Sequence, residues 1–151
     1  MNGTGEISLG ASVNEVWIHL LDPDVLAKCV IGCDRLESTG ESTYHADLSI
    51  GIAAVKGKYD ATIALADVEE LKGYRLIVHG EGPPGVVDAE GVIRLSVDGE
   101  HQTILSYEYT ANVGGKIAAV GQRMLGGIAK LIINDFFKRM KKEIERTSRS
   151  A

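Results

Sequence analysis

Hydrophobic and polar residues alternate over most of the chain between residues 35 and 113. In the run from 44 to 52, Ala46, Leu48 and Ile50 occupy every second position, with polar residues between them. This period is typical of strands with one buried and one exposed face, as in antiparallel sheets. It predicts strands at residues 6–9, 35–38, 44–52, 55–68, 74–78, 86–97 and 103–113. Because turn-forming residues separate these runs, we expect a curved antiparallel sheet of about seven strands.

Helical patterns occur at two places. Near the N-terminus, Ser12-Val13-Asn14-Glu15 is a capping box that predicts a helix from Val13, and Asp22-Pro23-Asp24 ends it and begins a second short helix. After the last strand, an apolar helical pattern covers residues 116–145. This order predicts a single α+β domain over residues 1–146, in which the sheet wraps the long helix, and a short polar tail at 147–151.

The predicted long helix contains Gly121, Gly126 and Gly127, each of which costs roughly 1 kcal/mol of helix stability relative to alanine. The helix is also more apolar than a domain of this size needs, so we predict a cavity between sheet and helix that an apolar ligand fills. An ordinary filled core is the alternative. The expected ligand-binding residues are Trp17, Leu48, Ile50, Ile63, Leu76, Val78, Tyr107, Tyr109, Met124, Ile128 and Leu131.

Two of these residues, Tyr107 and Tyr109, lie on the strand that leads into the long helix. A buried phenol usually finds a hydrogen-bond partner. We expect the polar head group of the ligand beside one of them, and a bond from each phenol to the backbone is the alternative.

Three segments are expected to form a gate to the cavity: helix 13–21, the loop 29–33 and the loop 80–85. The first loop contributes Cys29 and Cys33, and the second contributes Gly82, Pro83 and Pro84. Metal-binding cysteines usually stand two residues apart and occur with a second pair, so a structural role is favoured over a metal or redox role. The loop 80–85 could equally be a plain hairpin connection.

Charge is unevenly distributed along the chain. The net charge is −5; residues 138–151 hold six Lys or Arg and two Glu, a net +4, which leaves −9 for the rest. The overall acidity and the 5% aromatic content argue against nucleic-acid binding. The basic segment could contact anionic lipid, although cations also suit any helix C-terminus. Without a secretion signal, we expect a cytoplasmic protein, which could be peripheral at the inner face of the membrane.

No catalytic or metal motif is recognisable. The histidines at 19, 45, 79 and 101 are scattered, and Gly114-Gly115-Lys116 lacks the flanking residues of a phosphate loop. We therefore predict no enzyme, no metal site and no covalently bound cofactor. If the cavity did hold a catalyst, the candidates would be Tyr107, Glu108, Tyr109 and Asp135.

Three segments resemble the CoxG family of carbon monoxide dehydrogenase subunits, within the START-like, or SRPBCC, superfamily. They are Val16-Trp17 with Leu21-Asp22-Pro23-Asp24-Val25-Leu26, then Cys29-Val30-Ile31-Gly32-Cys33, and then Val113-Gly114-Gly115-Lys116-Ile117-Ala118 through Gly121-Gln122-Arg123. The second is similar to the Cys-Ile-Pro-Gly-Cys stretch of the family, with Ile31 in place of proline. The resemblance runs from Gly5 to Phe137.

This resemblance implies the helix-grip fold and an accessory role beside molybdenum hydroxylases of the carbon monoxide dehydrogenase type. It also implies a quinone or similar lipid-like ligand and association with the membrane. Some family members extend into a hydrophobic anchor, whereas this sequence ends in Arg146-Thr147-Ser148-Arg149-Ser150-Ala151. The leading hypothesis is a carrier of a quinone or isoprenoid-like molecule; the rivals are a ligand-free docking or assembly module and a small cavity enzyme (a hydrolase, cyclase or dehydratase).

Overall fold

The computed structural model describes residues 1–150, with side chains through Thr147. The strands are β1 Asn2–Leu9, β2 Cys33–Gly40, β3 Thr43–Ile50, β4 Gly57–Glu69, β5 Gly73–Gly82, β6 Gly85–Val97 and β7 Thr103–Gly114. The α-helices are α1 Val13–Leu21, α2 Pro23–Cys29 and α3 Gln122–Ser150. Two short 3₁₀ helices cover Ala53–Val55 and Lys116–Val120.

All seven strands form one antiparallel sheet in the order β1-β7-β6-β5-β4-β3-β2. The helices α1 and α2 carry the chain from one edge of the curved sheet to the other, and α3 packs on its concave side. This architecture confirms the predicted α+β helix-grip class. Contacts from α3 also secure the end of β1, where Lys141 Nζ donates to Ser8 O (2.7 Å) and Gly10 N donates to Glu145 Oε2 (2.8 Å).

The two short helices begin where the sequence predicts them. The Ser12 hydroxyl accepts from Glu15 N at 3.3 Å, which satisfies one of the free amide groups of the first turn of α1. Asp22 accepts from Asp24 N at 2.9 Å and caps α2, whose first residue is Pro23. The predicted N-cap at Ser12 is confirmed, and the buried face of α1 includes Val16 and Trp17.

The long helix begins later than predicted. Residues Lys116–Val120 form the second 3₁₀ helix, and Gly121, at φ +95°, separates it from α3. The break resets the helical phase, so that Met124 and Leu131 are 57% and 55% exposed. Their predicted orientation toward the sheet was therefore wrong. The helix also includes residues 147–150, which were expected to form a tail; Ala151 and the side chain of Arg149 lie outside the described part.

The buried apolar residues fall into two groups. The main core lies at the end of the sheet that contacts the C-terminal half of α3; its fully buried members include Leu9, Val16, Leu105, Met140 and Ile144. The small core consists of Val55, Ile117 and Leu125, with partly buried neighbours, and lies where α3 begins. Among the described residues, no helix is both long enough and apolar enough to span a bilayer.

Candidate ligand-binding site

A cavity of about 320 Å³ lies on the concave side of the sheet, between it and α3. Its wall is almost entirely aliphatic or aromatic, as is typical of small-molecule sites. The lining residues are Leu20, Leu26, Val30, Ile31, Leu36, Tyr44, Ala46, Leu48, Ala61, Ile63, Leu65, Tyr74, Leu76, Val78, Gly91, Ile93, Tyr107, Glu108, Tyr109, Ile132, Ile133, Phe136 and Phe137. Several of them, including Ala46, Ile63 and Val78, belong to neither core, so the cavity divides the two cores.

Six of the eleven predicted ligand-binding residues lie in this wall. They are Leu48, Ile63, Leu76, Val78, Tyr107 and Tyr109, and all are on strands. Their placement follows from the alternation, because the inward face of each strand is fixed once one of its positions is buried.

The other five predicted residues lie elsewhere. Trp17 belongs to the main core, Ile50 and Ile128 pack against the small core, and Met124 and Leu131 are exposed. The helix instead lines the cavity with Ile132, Ile133, Phe136 and Phe137. Counting backward from the buried residues Ile144 and Met140 in steps of three and four would have identified this stripe.

The helix glycines do not create the cavity. A Cβ atom added at Gly121, Gly126 or Gly127 would meet no atom within 4 Å, and none of the three lines the cavity. We predicted that the missing side chains of these glycines leave interior space. The space exists, but the glycines are not its cause. The space arises farther along α3, where the strands curve away from the helix between the two cores.

The loop after α2 reaches the cavity through Val30 and Ile31, whereas its cysteines do not line it. Cys29 is fully buried in the main core, and Cys33 begins β2. Burial raises the pKa of the Cys29 thiol to about 11 and also raises the pKa of Cys33. A gate role for Cys29 is ruled out by its position, and a protonated thiol is a poor nucleophile or metal ligand.

The loop with Gly82, Pro83 and Pro84 is a tight turn between β5 and β6, where Gly82 pairs with Gly85. Pro84 O accepts from Ile117 N at 2.9 Å, and the Pro84 ring packs so closely on Gly57 that no side chain fits there. These residues cover the small core and lie outside the cavity wall, contrary to the predicted gate. Of the third expected segment, α1, Leu20 lines the cavity.

The two predicted tyrosines lie over β1. Gly3 pairs with Tyr109 and Gly5 with Tyr107, and any side chain at either glycine would collide with the adjacent phenol ring. Tyr107 also stacks on Phe137, with ring centroids 4.7 Å apart. Burial raises the pKa of Tyr107, so its phenol is neutral near neutral pH.

The candidate catalytic residues do not form an acid–base pair in the cavity. Glu108 borders it between Tyr107 and Tyr109 but occupies an exposed position. Asp135 does not line the cavity and pairs with Arg139 at 2.9 Å.

On the outer face of the sheet, His45, Asp47 and Asp60 bring potential metal-ligand atoms within 4.8 Å of one another. The sequence prediction missed this group because strand pairing places Asp47 opposite Asp60. His45 Nε2 and Asp60 Oδ1 lie 2.7 Å apart, so a hydrogen bond between the two side chains accounts for the contact.

The family model of CoxG, a carbon monoxide dehydrogenase subunit, matches residues 5–145. The chain belongs to the CoxG family. The resemblance carried by the three sequence segments is confirmed over nearly the whole domain, and the cavity described above is that of a CoxG-family protein. No match was found among curated proteins.

Solved structures resemble this CoxG-family chain closely. A conserved protein from Geobacillus kaustophilus is 56% identical, with a TM-score of 0.93 and 97% of each chain covered. A START superfamily protein from Mycobacterium smegmatis is 12% identical, with a TM-score of 0.76 over 97% of this chain and 98% of that one. The Zhui aromatase/cyclase from Streptomyces sp. R1128 is 14% identical, with a TM-score of 0.69 over 97% and 94%. The last two likenesses show the fold alone.

Proposed function

We propose that this CoxG-family protein binds an apolar, quinone- or isoprenoid-like molecule in the cavity. It would carry that molecule as an accessory subunit between the membrane and a molybdenum hydroxylase of the carbon monoxide dehydrogenase type. The observation that supports ligand binding most directly is the apolar cavity of about 320 Å³ that divides the core. The quinone and the partner enzyme are supported by family membership alone.

The energetics favour an apolar occupant. Side chains that face a void lose dispersion contacts, and a ligand restores them. Each methylene group transferred from water into the cavity contributes about 0.8 kcal/mol. The volume is near the lower end of the range for small-molecule sites, about 300–1,000 Å³. It suits a ring system or one end of a longer chain, and the half-buried wall at Val30, Ile31 and Leu36 offers an exit for the remainder.

The outer face of α3 supports the membrane part of the proposal. Among the described side chains of this helix, the exposed charged ones are all cations, namely Arg123, Lys130, Lys138, Arg139, Lys142 and Arg146. Its acidic residues are half-buried and form ion pairs: Asp135 with Arg139, Glu143 with Arg146, and Glu145 with Lys141. The exposed Met124 and Leu131 add apolar surface to this face. Each Lys or Arg near an anionic bilayer contributes about 1 kcal/mol of attraction.

The proposal is tested by native mass spectrometry of protein purified without detergent, followed by organic extraction. An apolar passenger in stoichiometric amount is expected. The variant Ala61→Leu adds side-chain volume to the cavity wall and should lower ligand affinity about tenfold, through a strain of about 1–3 kcal/mol.

The matched control is Ala64→Leu. It adds the same atoms on the same strand at a position that does not line the cavity. We expect this variant to retain the ligand. A wild-type protein with no passenger, even after incubation with membrane extract, would contradict ligand binding and favour the docking module.

A cavity enzyme is a second candidate, because phenol side chains border the cavity and an aromatase/cyclase shares the fold. The same extraction distinguishes the two. A carrier returns its ligand chemically unchanged after incubation, whereas an enzyme converts it.

A further inference from the structure

Tyr74 is a buried residue in the cavity wall whose hydroxyl makes no hydrogen bond to any described residue and keeps some accessible surface toward the cavity. It is only 5% exposed, and its ring packs against the edge of Trp17 with centroids 5.9 Å apart. Tyr107 and Tyr109 also make no hydroxyl hydrogen bond to a described residue, but they are only half-buried. Two further tyrosines on the same side of the sheet are bonded. Tyr44 donates to Leu21 O at 2.8 Å, and Tyr59 donates to Val55 O at 2.6 Å.

An unpaired hydroxyl at such a position calls for an explanation. Buried phenols nearly always find a partner, and phenylalanine would fill the same space without the penalty for a missing bond. Burial and the nearby Tyr44 raise the pKa of Tyr74, so the phenol keeps its proton near neutral pH. Tyr74 is therefore a hydrogen-bond donor available at the cavity wall, whereas the Tyr44 proton is committed to the backbone.

We propose that the Tyr74 hydroxyl donates a hydrogen bond to a carbonyl or ether oxygen of the ligand, which fixes the polar end of the ligand beside Trp17 and the main core. This inference rests on the proposed function. It places the polar end on β5 rather than at Tyr107 and Tyr109, whose rings lie over the glycines of β1. The apolar remainder then extends toward the half-buried Val30 and Ile31.

The same wall restricts the charge of the ligand. Among the described residues, no Lys, Arg or His lines the cavity. A carboxylate or phosphate buried there would lack a counter-ion, which is strongly unfavourable. The polar end that lies beside Tyr74 is therefore neutral and carries an acceptor oxygen, and a fatty acid could not place its carboxylate there.

A pair of matched probes tests this inference by isothermal titration calorimetry. The probes are 2,3-dimethyl-1,4-naphthoquinone, which has no free ring position for thiol addition, and 2,3-dimethylnaphthalene, which lacks the carbonyls. Tyr74→Phe is expected to weaken quinone binding about 3- to 10-fold, the value of one net hydrogen bond, and to leave hydrocarbon binding unchanged. Tyr59→Phe, which removes a phenol hydroxyl outside the cavity wall, is the control and should preserve the preference for the quinone. Trp17, the single tryptophan, gives a second readout, because a quinone beside Tyr74 should quench its fluorescence.

Stability provides an independent measurement. If the hydroxyl is unpaired in the free protein, Tyr74→Phe should raise Tm by about 1–4 °C. A clear fall in Tm would reveal a structural partner for the hydroxyl and overturn the inference.

The remaining outcomes separate the inference from the function on which it rests. Equal loss of both probes in Tyr74→Phe, or no loss of either, would overturn the role of Tyr74. Binding of 2-naphthoate as tight as that of the quinone would overturn the restriction to neutral ligands. The cavity function would survive, provided that the wild type still binds the hydrocarbon. Failure of the wild type to bind either neutral probe would reject both the role of Tyr74 and the proposed function of the cavity.

Discussion

The two ends of the interface between the sheet and α3 differ in how completely their apolar side chains are buried. In the main core, Val16, Leu105, Met140 and Ile144 are all 0% exposed. The small core has only three buried residues, at 5–8% exposure, and lies among a 3₁₀ helix, a helix break and two glycines of α3. The difference indicates that stability is concentrated at one end of the cavity, and that the opposite end is the one able to open for a ligand.

Truncation in the two cores should give the largest effects. Met140→Ala is expected to lower the free energy of unfolding by about 2–5 kcal/mol, because its fully packed site cannot collapse around the lost atoms. Leu125→Ala in the small core should cost about half as much. Urea denaturation measures both, with the exposed Leu131→Ala as a control expected within about 0.5 kcal/mol of wild type. If Leu125→Ala and Met140→Ala lowered the free energy of unfolding equally, the two cores would not differ in their contribution to stability.

Two glycine substitutions near the start of α3, beside the small core, should change the free energy of unfolding in opposite directions. Gly121 and Gly127 both face open space, but only Gly121 has a left-handed backbone, at φ +95°. Gly121→Ala should therefore destabilise the protein by about 1 kcal/mol or more through backbone strain. Gly127→Ala should stabilise it by about 0.5–1 kcal/mol, because alanine is the better helix former. Thermal unfolding followed by circular dichroism compares them, and stabilisation by both changes would mean that the break at Gly121 is not required.

Burial of Cys29 predicts a smaller, pH-dependent effect in the main core. Its folded-state pKa, about 11, exceeds the ordinary value of about 9, so the unfolded chain loses the thiol proton first as the pH rises. Stability from this group is therefore complete below pH 9 and is lost progressively toward pH 11. Urea titrations at pH 8 to 11 should show a shallower decline for Cys29→Ala than for wild type. The less buried Cys33, whose pKa is also raised, is the comparison, and Cys33→Ala should change the decline less than Cys29→Ala. A decline in Cys29→Ala identical to that of wild type would contradict burial of the thiol in the main core.

The strands were predictable from the sequence because each has one buried face, and a single buried residue sets the orientation of all the others. The positions of the six strand residues in the cavity wall follow from this rule. The phase of α3 could not be obtained by counting forward from residue 116, since the helical pattern continues through 116–121 while the backbone does not. The error at Met124 and Leu131 results directly from that break.

Tyr74 illustrates a second limit. Its strand and its inward face follow from the alternation at 74–78, but a tyrosine there resembles any core tyrosine. The feature that distinguishes it is the combination of 5% exposure with a hydroxyl that has no partner among the described residues, since Tyr107 and Tyr109 also lack one but are only half-buried. Partners depend on which backbone carbonyls the fold brings near, as at Leu21 for Tyr44, and sequence spacing does not encode this.

The pairing of β1 with β7 has a consequence for biosynthesis. Asn2 lies opposite Thr110, so the first strand made by the ribosome has no partner until the last strand has been translated. The Lys141 and Glu145 contacts that secure the end of β1 form later still. The nascent chain therefore exposes the apolar concave face of an incomplete sheet until its final helix emerges, and a hydrophobic molecule present at that moment can be enclosed as the helix docks.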